Sequence, residues 1–157
     1  MKQGLGTQLR HLIELLDGAV EAAYVEAGLN YRPRYTPVMR ALAAVDALTI
    51  GEIAAQAGIT QPAATQTVAV MVKEGLLVTS AGKQDGRQKM VRLSEAGREM
   101  LPRLQQCWQA TAAAANSLDA QLPYPLSATL ANAIDALQAE SFGERIRAAN
   151  RIREASV

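Results

Sequence analysis

The sequence predicts a mainly α-helical fold with one small β-hairpin. Three observations carry that expectation. Alanine, the best helix former, makes up roughly a fifth of the chain, while aromatics make up only 4%. Threonine, serine, proline and glycine fall where helices would start and stop. One interruption, between Leu76 and Leu93, holds two short runs rich in Leu, Val and Met around a polar loop with two glycines, the pattern of a hairpin.

Each element has its own reason. Residues 7–28 read as the first helix, because Leu9, Leu12, Ile13, Leu16, Val20 and Ala23 recur at helical spacing and Gly28 suits its C-terminal end. Asn30 to Tyr35 reads as a loop. Thr36 is expected to cap a second helix, with Pro37 at the first position, where a missing N–H costs nothing; Val38 to Ala47 forms its body. Thr49-Ile-Gly-Glu52 has the spacing of a capping box and opens a short third helix that Gly58 ends. Thr60 caps a fourth, which begins Gln61-Pro62, runs to Glu74 and stops at Gly75. Leu76 to Ser80 and Lys89 to Leu93 are the hairpin strands, with Ala81 to Gln88 as a long tip. Ser94 caps a long helix reaching Leu118, which Pro102 should kink. Leu122 to Pro125 is a turn. Leu126 to Ala139 and Phe142 to Ala155 are two more helices, the last one charged.

Composition narrows the function. A chain of 157 residues, 49% hydrophobic and 20% charged, is expected to be one globular domain over residues 1–157. A single cysteine excludes an internal disulfide framework, and a single histidine excludes a multi-histidine metal centre. No apolar run reaches the length of about 18 residues that a membrane span needs, and the first residues lack the apolar core of a signal peptide. The expectation is a cytoplasmic protein without membrane contact. His11 and Cys107 lie far apart in no catalytic signature, and no phosphate loop or nucleophile elbow is present. Neither an enzyme, a cofactor nor a metal is expected. Cys107 has no basic cluster beside it to activate the thiolate, so it reads as structural.

Two features point elsewhere. Ile53, Ala54, Ile59, Ala64, Val68 and Met71 are spaced as the buried seam of a helix–turn–helix, with Ala54 small enough for a close crossing and Gly58 free to turn. A basic hairpin follows directly. Between Thr60 and Arg92 the cations Lys73, Lys83, Arg87, Lys89 and Arg92 outnumber the anions Glu74 and Asp85, although the whole chain carries only +1. A helix–turn–helix followed by a basic hairpin is the layout of a winged helix, and a basic segment on a neutral body is an electrostatic footprint for nucleic acid.

The run from Thr49 to Leu101 resembles the MarR family of bacterial transcription regulators. The residues that carry the resemblance are Thr49-Ile-Gly-Glu-Ile-Ala-Ala-Gln-Ala-Gly58, Lys73-Glu-Gly-Leu-Leu77, Asp85-Gly-Arg87 and Val91-Arg-Leu-Ser-Glu-Ala-Gly97. The resemblance implies a winged helix–turn–helix over residues 36–99, flanked by helical dimerisation regions at 7–35 and 100–157. It implies a homodimer, most simply a repressor, on a pseudo-palindromic operator in double-stranded DNA. Gln61, Pro62, Ala63, Thr65 and Gln66 would face the major groove: glutamine can pair with adenine, and alanine and the threonine methyl can touch thymine methyls. Arg87 would enter a minor groove, its guanidinium held by Asp85. Lys73, Lys83, Lys89 and Arg92 would meet phosphates, assisted by Arg32, Arg34 and Arg40.

The chain also departs from the family, which often has basic residues where Val70 or Thr79 stands and an acidic one at Val72. The resemblance further implies a small aromatic effector, for which His11, Tyr24, Tyr31 and Tyr35 are candidates. Leu9, Leu12, Ile13 and Leu16, with Leu130, Ile134, Leu137, Phe142 and Ile146, are the apolar residues a partner subunit would cover. The rival reading is a winged helix that binds protein and not DNA, motivated by the thin charge of the fourth helix.

Overall fold

The computed structural model of the chain describes residues 4–155. It is helical with one small sheet, as the composition predicts. The elements run α1 (Leu5–Glu26), a 3-10 turn (Pro33–Tyr35), α2 (Thr36–Ala43), β1 (Leu48–Thr49), α3 (Ile50–Ala57), α4 (Gln61–Lys73), β2 (Leu77–Ala81), β3 (Lys89–Leu93), α5 (Glu95–Gln121), α6 (Leu126–Ala139) and α7 (Phe142–Ala155). They divide into two compact units, Met1–Gln109 and Ala110–Val157.

The first unit holds the core. Tyr35, Val38, Met39, Leu42, Ile53, Met71, Leu77, Val91 and Leu104 are among its fully buried side chains. Thr49 and Glu52 form the expected capping box: the Thr49 hydroxyl accepts from the Glu52 amide at 3.2 Å and the Glu52 carboxylate accepts from the Thr49 amide at 2.7 Å. Gly58 ends α3 with φ +66°, a left-handed conformation in which a side chain would be strained. Its turn sets α4 against α3, and Ala54, Ala64 and Val68 are all buried. The Thr60 hydroxyl caps α4 by accepting from the Ala63 amide at 3.3 Å.

Four expectations change. Thr36 does not cap α2. The 3-10 turn runs straight into the helix, so Tyr35 takes the flanking position and Thr36 lies in the first turn. The second helix ends at Ala43, not Ala47, because the chain must straighten to form a strand that the sequence reading did not foresee. That strand, β1, pairs antiparallel with β3, Leu48 opposite Val91 and Thr49 opposite Met90, giving a three-stranded sheet in the order β1-β3-β2. The long helix continues to Gln121, three residues past the expected Leu118, with Pro102 inside it.

In the second unit, comprising the end of α5 with α6 and α7, Asp119 ties the turn to α6. Its carboxylate accepts from the Ser127 amide at 3.2 Å and from the Ser127 hydroxyl. Ser141 and Glu144 form a further capping box at the start of α7. Neither α6 nor α7 has a buried residue, and Leu130, Ile134, Leu137, Phe142 and Ile146 stand exposed.

Candidate nucleic-acid interface

The candidate face begins with α4. Its apolar side, Ala64, Val68 and Met71, is buried against the core, so the opposite side must face out. Gln61, Pro62, Ala63, Thr65, Gln66 and Lys73 are all exposed. The Thr65 hydroxyl donates to the Gln61 carbonyl at 2.9 Å. With its polar atom committed to the helix, Thr65 can offer its methyl group to a ligand. Val70 and Val72 are partly buried against the core, which accounts for apolar residues at these two positions.

The wing is the β2–β3 hairpin, Leu77 opposite Leu93 through Ala81 opposite Lys89. Its tip is closed from within: the Gly82 amide donates to the Gln88 carbonyl at 2.7 Å, and the Gln88 amide to the Asp85 carbonyl at 3.0 Å. The expected Asp85–Arg87 ion pair is not what forms. The Asp85 carboxylate accepts from the Arg87 backbone amide at 2.9 Å, an Asx turn that closes locally because the amide is two residues on and already in place. Asp85 therefore shapes the tip. Lys83, Asp85, Arg87 and Lys89 are exposed. Arg92 is half-buried on β3, and its Nε is covered with no hydrogen-bond partner among the described residues.

Helix and wing meet. A cleft of about 390 Å³ is lined by Thr49, Ile50, Gly51, Gln61, Arg87, Gln88 and Lys89. The start of the fourth helix, the cationic side of the wing and the start of α3 thus face one space. The sequence proposed Gln61, Arg87 and Lys89 for the candidate interface but not Thr49 to Gly51, which line the same cleft. The signal was the capping box, whose first residue is also the end of β1.

The proposed effector residues separate. Tyr24, Tyr31 and Tyr35 come together as buried core residues, with edge-to-face rings at 4.8 Å between the first two and 5.6 Å between the last two. The Tyr31 hydroxyl donates to Thr36 Oγ1 at 3.1 Å, and Trp108 Nε1 donates to the Tyr24 hydroxyl at 3.1 Å. Burial pushes the Tyr31 hydroxyl far above its ordinary range, with the Thr36 bond pulling the other way. Arg40 lies over the Trp108 ring at 4.9 Å. His11 stands exposed further up α1, beside Glu14 at 3.9 Å. Thirteen helical steps of about 1.5 Å each separate it from Tyr24, so His11 does not join the aromatic cluster.

Residues 27–88 match the model of the MarR family. No curated protein is similar enough in sequence to match the chain. Solved structures share the fold. The transcriptional regulator MosR of M. tuberculosis, in complex with DNA, superposes with a TM-score of 0.70 at 22% identity, over 89% of this chain and 100% of that one. A MarR-family regulator of Silicibacter pomeroyi has a TM-score of 0.61 at 25% identity, over 85% and 94% of the two chains. The PcaV regulator of Streptomyces coelicolor, solved with its natural ligand, gives 0.60 at 22% identity, over 90% and 99%.

Proposed function

We propose, for a chain whose winged helix is that of the MarR family of transcriptional regulators, the role of a homodimeric repressor that reads a pseudo-palindromic operator. The observation that carries this reading is the shared cleft. Gln61 at the start of α4 and Arg87 and Lys89 of the wing face one space, so one duplex can meet a base-reading helix and a cationic arm together. Residues 36–99 form the reading head, and residues 7–35 and 100–157 the dimerisation region of a single functional domain. It acts as a binding protein and not an enzyme, in the cytoplasm, where the operator is. No helix among the described residues is long and apolar enough to cross a membrane.

Gln61, Pro62, Ala63, Thr65 and Gln66 enter the major groove. Arg87 enters the flanking minor groove. Lys73, Lys83, Lys89 and Arg92 neutralise phosphates. A small aromatic molecule releases the operator, a reading supported by the structure of NadR in complex with 4-hydroxyphenylacetate. Such a molecule must open the tyrosine cluster, because those rings are packed against one another.

The test is fluorescence anisotropy of the protein on duplexes covering the DNA beside its own gene, at several salt concentrations. Affinity should fall steeply with salt, since phosphate contacts release counterions. Binding indifferent to salt, or none, overturns the reading and moves the protein-docking winged helix ahead.

A further inference from the structure

The outer edge of the wing is open. β2 is an end strand of the sheet and pairs only with β3. The Ser94 amide donates to the Leu76 carbonyl at 3.0 Å, and the Gly82 amide to the Gln88 carbonyl at 2.7 Å. In an antiparallel ladder such bonds fall on every second residue, so Leu76, Val78, Ser80 and Gly82 turn their backbone groups toward β3. Leu77, Thr79 and Ala81 turn theirs away. Leu77 is buried, but Thr79 and Ala81 are exposed, so their amides and carbonyls stand open to an added strand. Proteins usually guard such an edge with charge, proline or a bulge. β2 has none of these. Its register with β3 runs unbroken from Leu77 to Ala81. Gly75 to Gly82 holds neither a charged residue nor a proline, while the inner strand β3 carries Lys89 and Arg92.

We propose that β2 pairs with β2 of a second copy, wing to wing, so that dimers on adjacent operator sites bind cooperatively. The inference rests on the DNA-binding reading above. A two-fold axis at Ser80 sets Thr79 against Ala81 of the second copy, and Ala81 against its Thr79. The open backbone groups on both strands then satisfy one another, because each edge offers the same donors and acceptors in the same order. Like charges facing each other across two strands are destabilising, and an uncharged run brings none to this pairing. So short a contact is far smaller than the interface that holds free proteins together. It acts where one duplex already carries two dimers side by side and the contact is made between tethered partners. The same hairpin lines the cleft shared with α4, so a protein seated on DNA keeps its wing edge near the duplex. Phosphates there offset the charge of Lys83, Arg87 and Lys89 on two neighbouring wings.

The experiment is anisotropy on two kinds of duplex. One carries the DNA beside the protein's own gene once, and the other carries it twice in tandem, at spacings stepped by one base pair. At the best spacing the second dimer should bind about five- to 150-fold more tightly than a dimer on the single site, the usual range of coupling between sites. Thr79→Pro removes an outward amide and leaves the ladder to β3 whole, since proline is tolerated where the amide faces solvent. It should bind the single site within about two-fold of wild type and cut the tandem gain below about two-fold. Ser80→Cys supplies a readout that does not depend on the proline variant folding. Residues facing each other in a non-hydrogen-bonded pair have Cα atoms about 4.5 Å apart, within disulfide reach. Under mild oxidation this variant should cross-link on the tandem duplex and far less on the single one, while wild type, with Cys107 alone, should not. The wing pairing is overturned by equal affinity for single and tandem sites at every spacing, by a gain that a folded Thr79→Pro keeps, or by a Ser80→Cys protein that stays unlinked on the tandem duplex. A protein that binds neither duplex fails the DNA reading itself, a different result from binding without cooperativity.

Discussion

A methyl group on Gly97 has nowhere to go. A Cβ there would lie 2.3 Å from the Leu76 carbonyl oxygen. The neighbouring Ser94 explains the closeness. Its amide donates to that same carbonyl at 3.0 Å, and its hydroxyl donates to the Gly75 carbonyl at 2.5 Å while accepting from the Gly97 amide at 3.0 Å. The Leu-Ser-x-x-Gly run therefore pins the start of α5 to the end of α4. Gly97→Ala must push backbone against backbone and is expected to cost about 1–3 kcal/mol, the range for overpacking, read as a lower urea midpoint. At the proposed DNA surface two substitutions separate two kinds of contact. Gln66→Ala should cost about 1–3 kcal/mol on the operator, less on scrambled DNA, and leave the salt slope unchanged. Arg87→Ala should weaken both duplexes and lower the log–log salt slope by about one unit per wing. Asp85→Ala should follow it more weakly, through loss of the Asx turn. Anisotropy on both duplexes checks all three, and an Arg87→Ala protein that binds like wild type removes the wing from the interface. At this scale the sequence made residue types and spacing legible, but not partners. Asp85 beside Arg87 suggests an ion pair, yet the nearer backbone amide takes the carboxylate.

Helix boundaries were legible wherever a local signal sets them. The capping box at Thr49, the caps at Thr60 and Ser94, and the glycine at the end of α3 all act through bonds within a few residues. β1 was not legible, because a two-residue strand has no alternation to show. It exists only through pairing with Val91 and Met90, far along the chain. The early end of α2 follows from the same distant contact, whereas Thr36 is claimed locally: the 3-10 turn runs into the helix, and the Thr36 hydroxyl accepts from the Tyr31 hydroxyl. β1 also makes the capping box a joint between sheet and reading head, since Thr49 pairs with Met90 and caps α3 at once. Thr49→Ala is therefore expected to cost about 0.5–2 kcal/mol of stability, the range for a lost N-cap. Operator affinity should fall as well, because α3 carries α4. Chemical denaturation and anisotropy measure the two effects. A stability loss with unchanged DNA binding would show that the joint matters to the fold alone.

At the scale of the whole molecule, the apolar surface is the clearest unmet demand. α6 and α7 bury no residue, and Ile134, Leu137, Phe142 and Ile146 are about half exposed or more. α1 leaves Leu5, Ile13, Leu15 and Leu16 in the same state. Rows of large apolar side chains on this scale mark an interaction surface; Ile13, Leu16 and the α6–α7 residues are among those the sequence offered for a partner subunit, Leu5 and Leu15 are not, and Leu12, which it did offer, is half-buried. Covering them with a second copy brings two reading heads to one duplex. The second head then binds as a tethered ligand, which raises overall affinity by a factor on the order of 10²–10⁴ over one head without any new base contact. Removing the chain after Leu122 deletes α6 and α7 while leaving the winged helix and most of α5. The shortened protein is expected to be a monomer by light scattering and to keep the melting behaviour of its winged-helix core. It should lose operator affinity by a factor of that order, while its affinity for a single half-site changes little. That split between the full operator and the half-site is the decisive measurement. A misfolded truncation would lose both, and a dimer held together by α1 alone would keep both. A soluble monomer with undiminished operator affinity would show that one reading head suffices, and the exposed rows of α6 and α7 would then need another explanation.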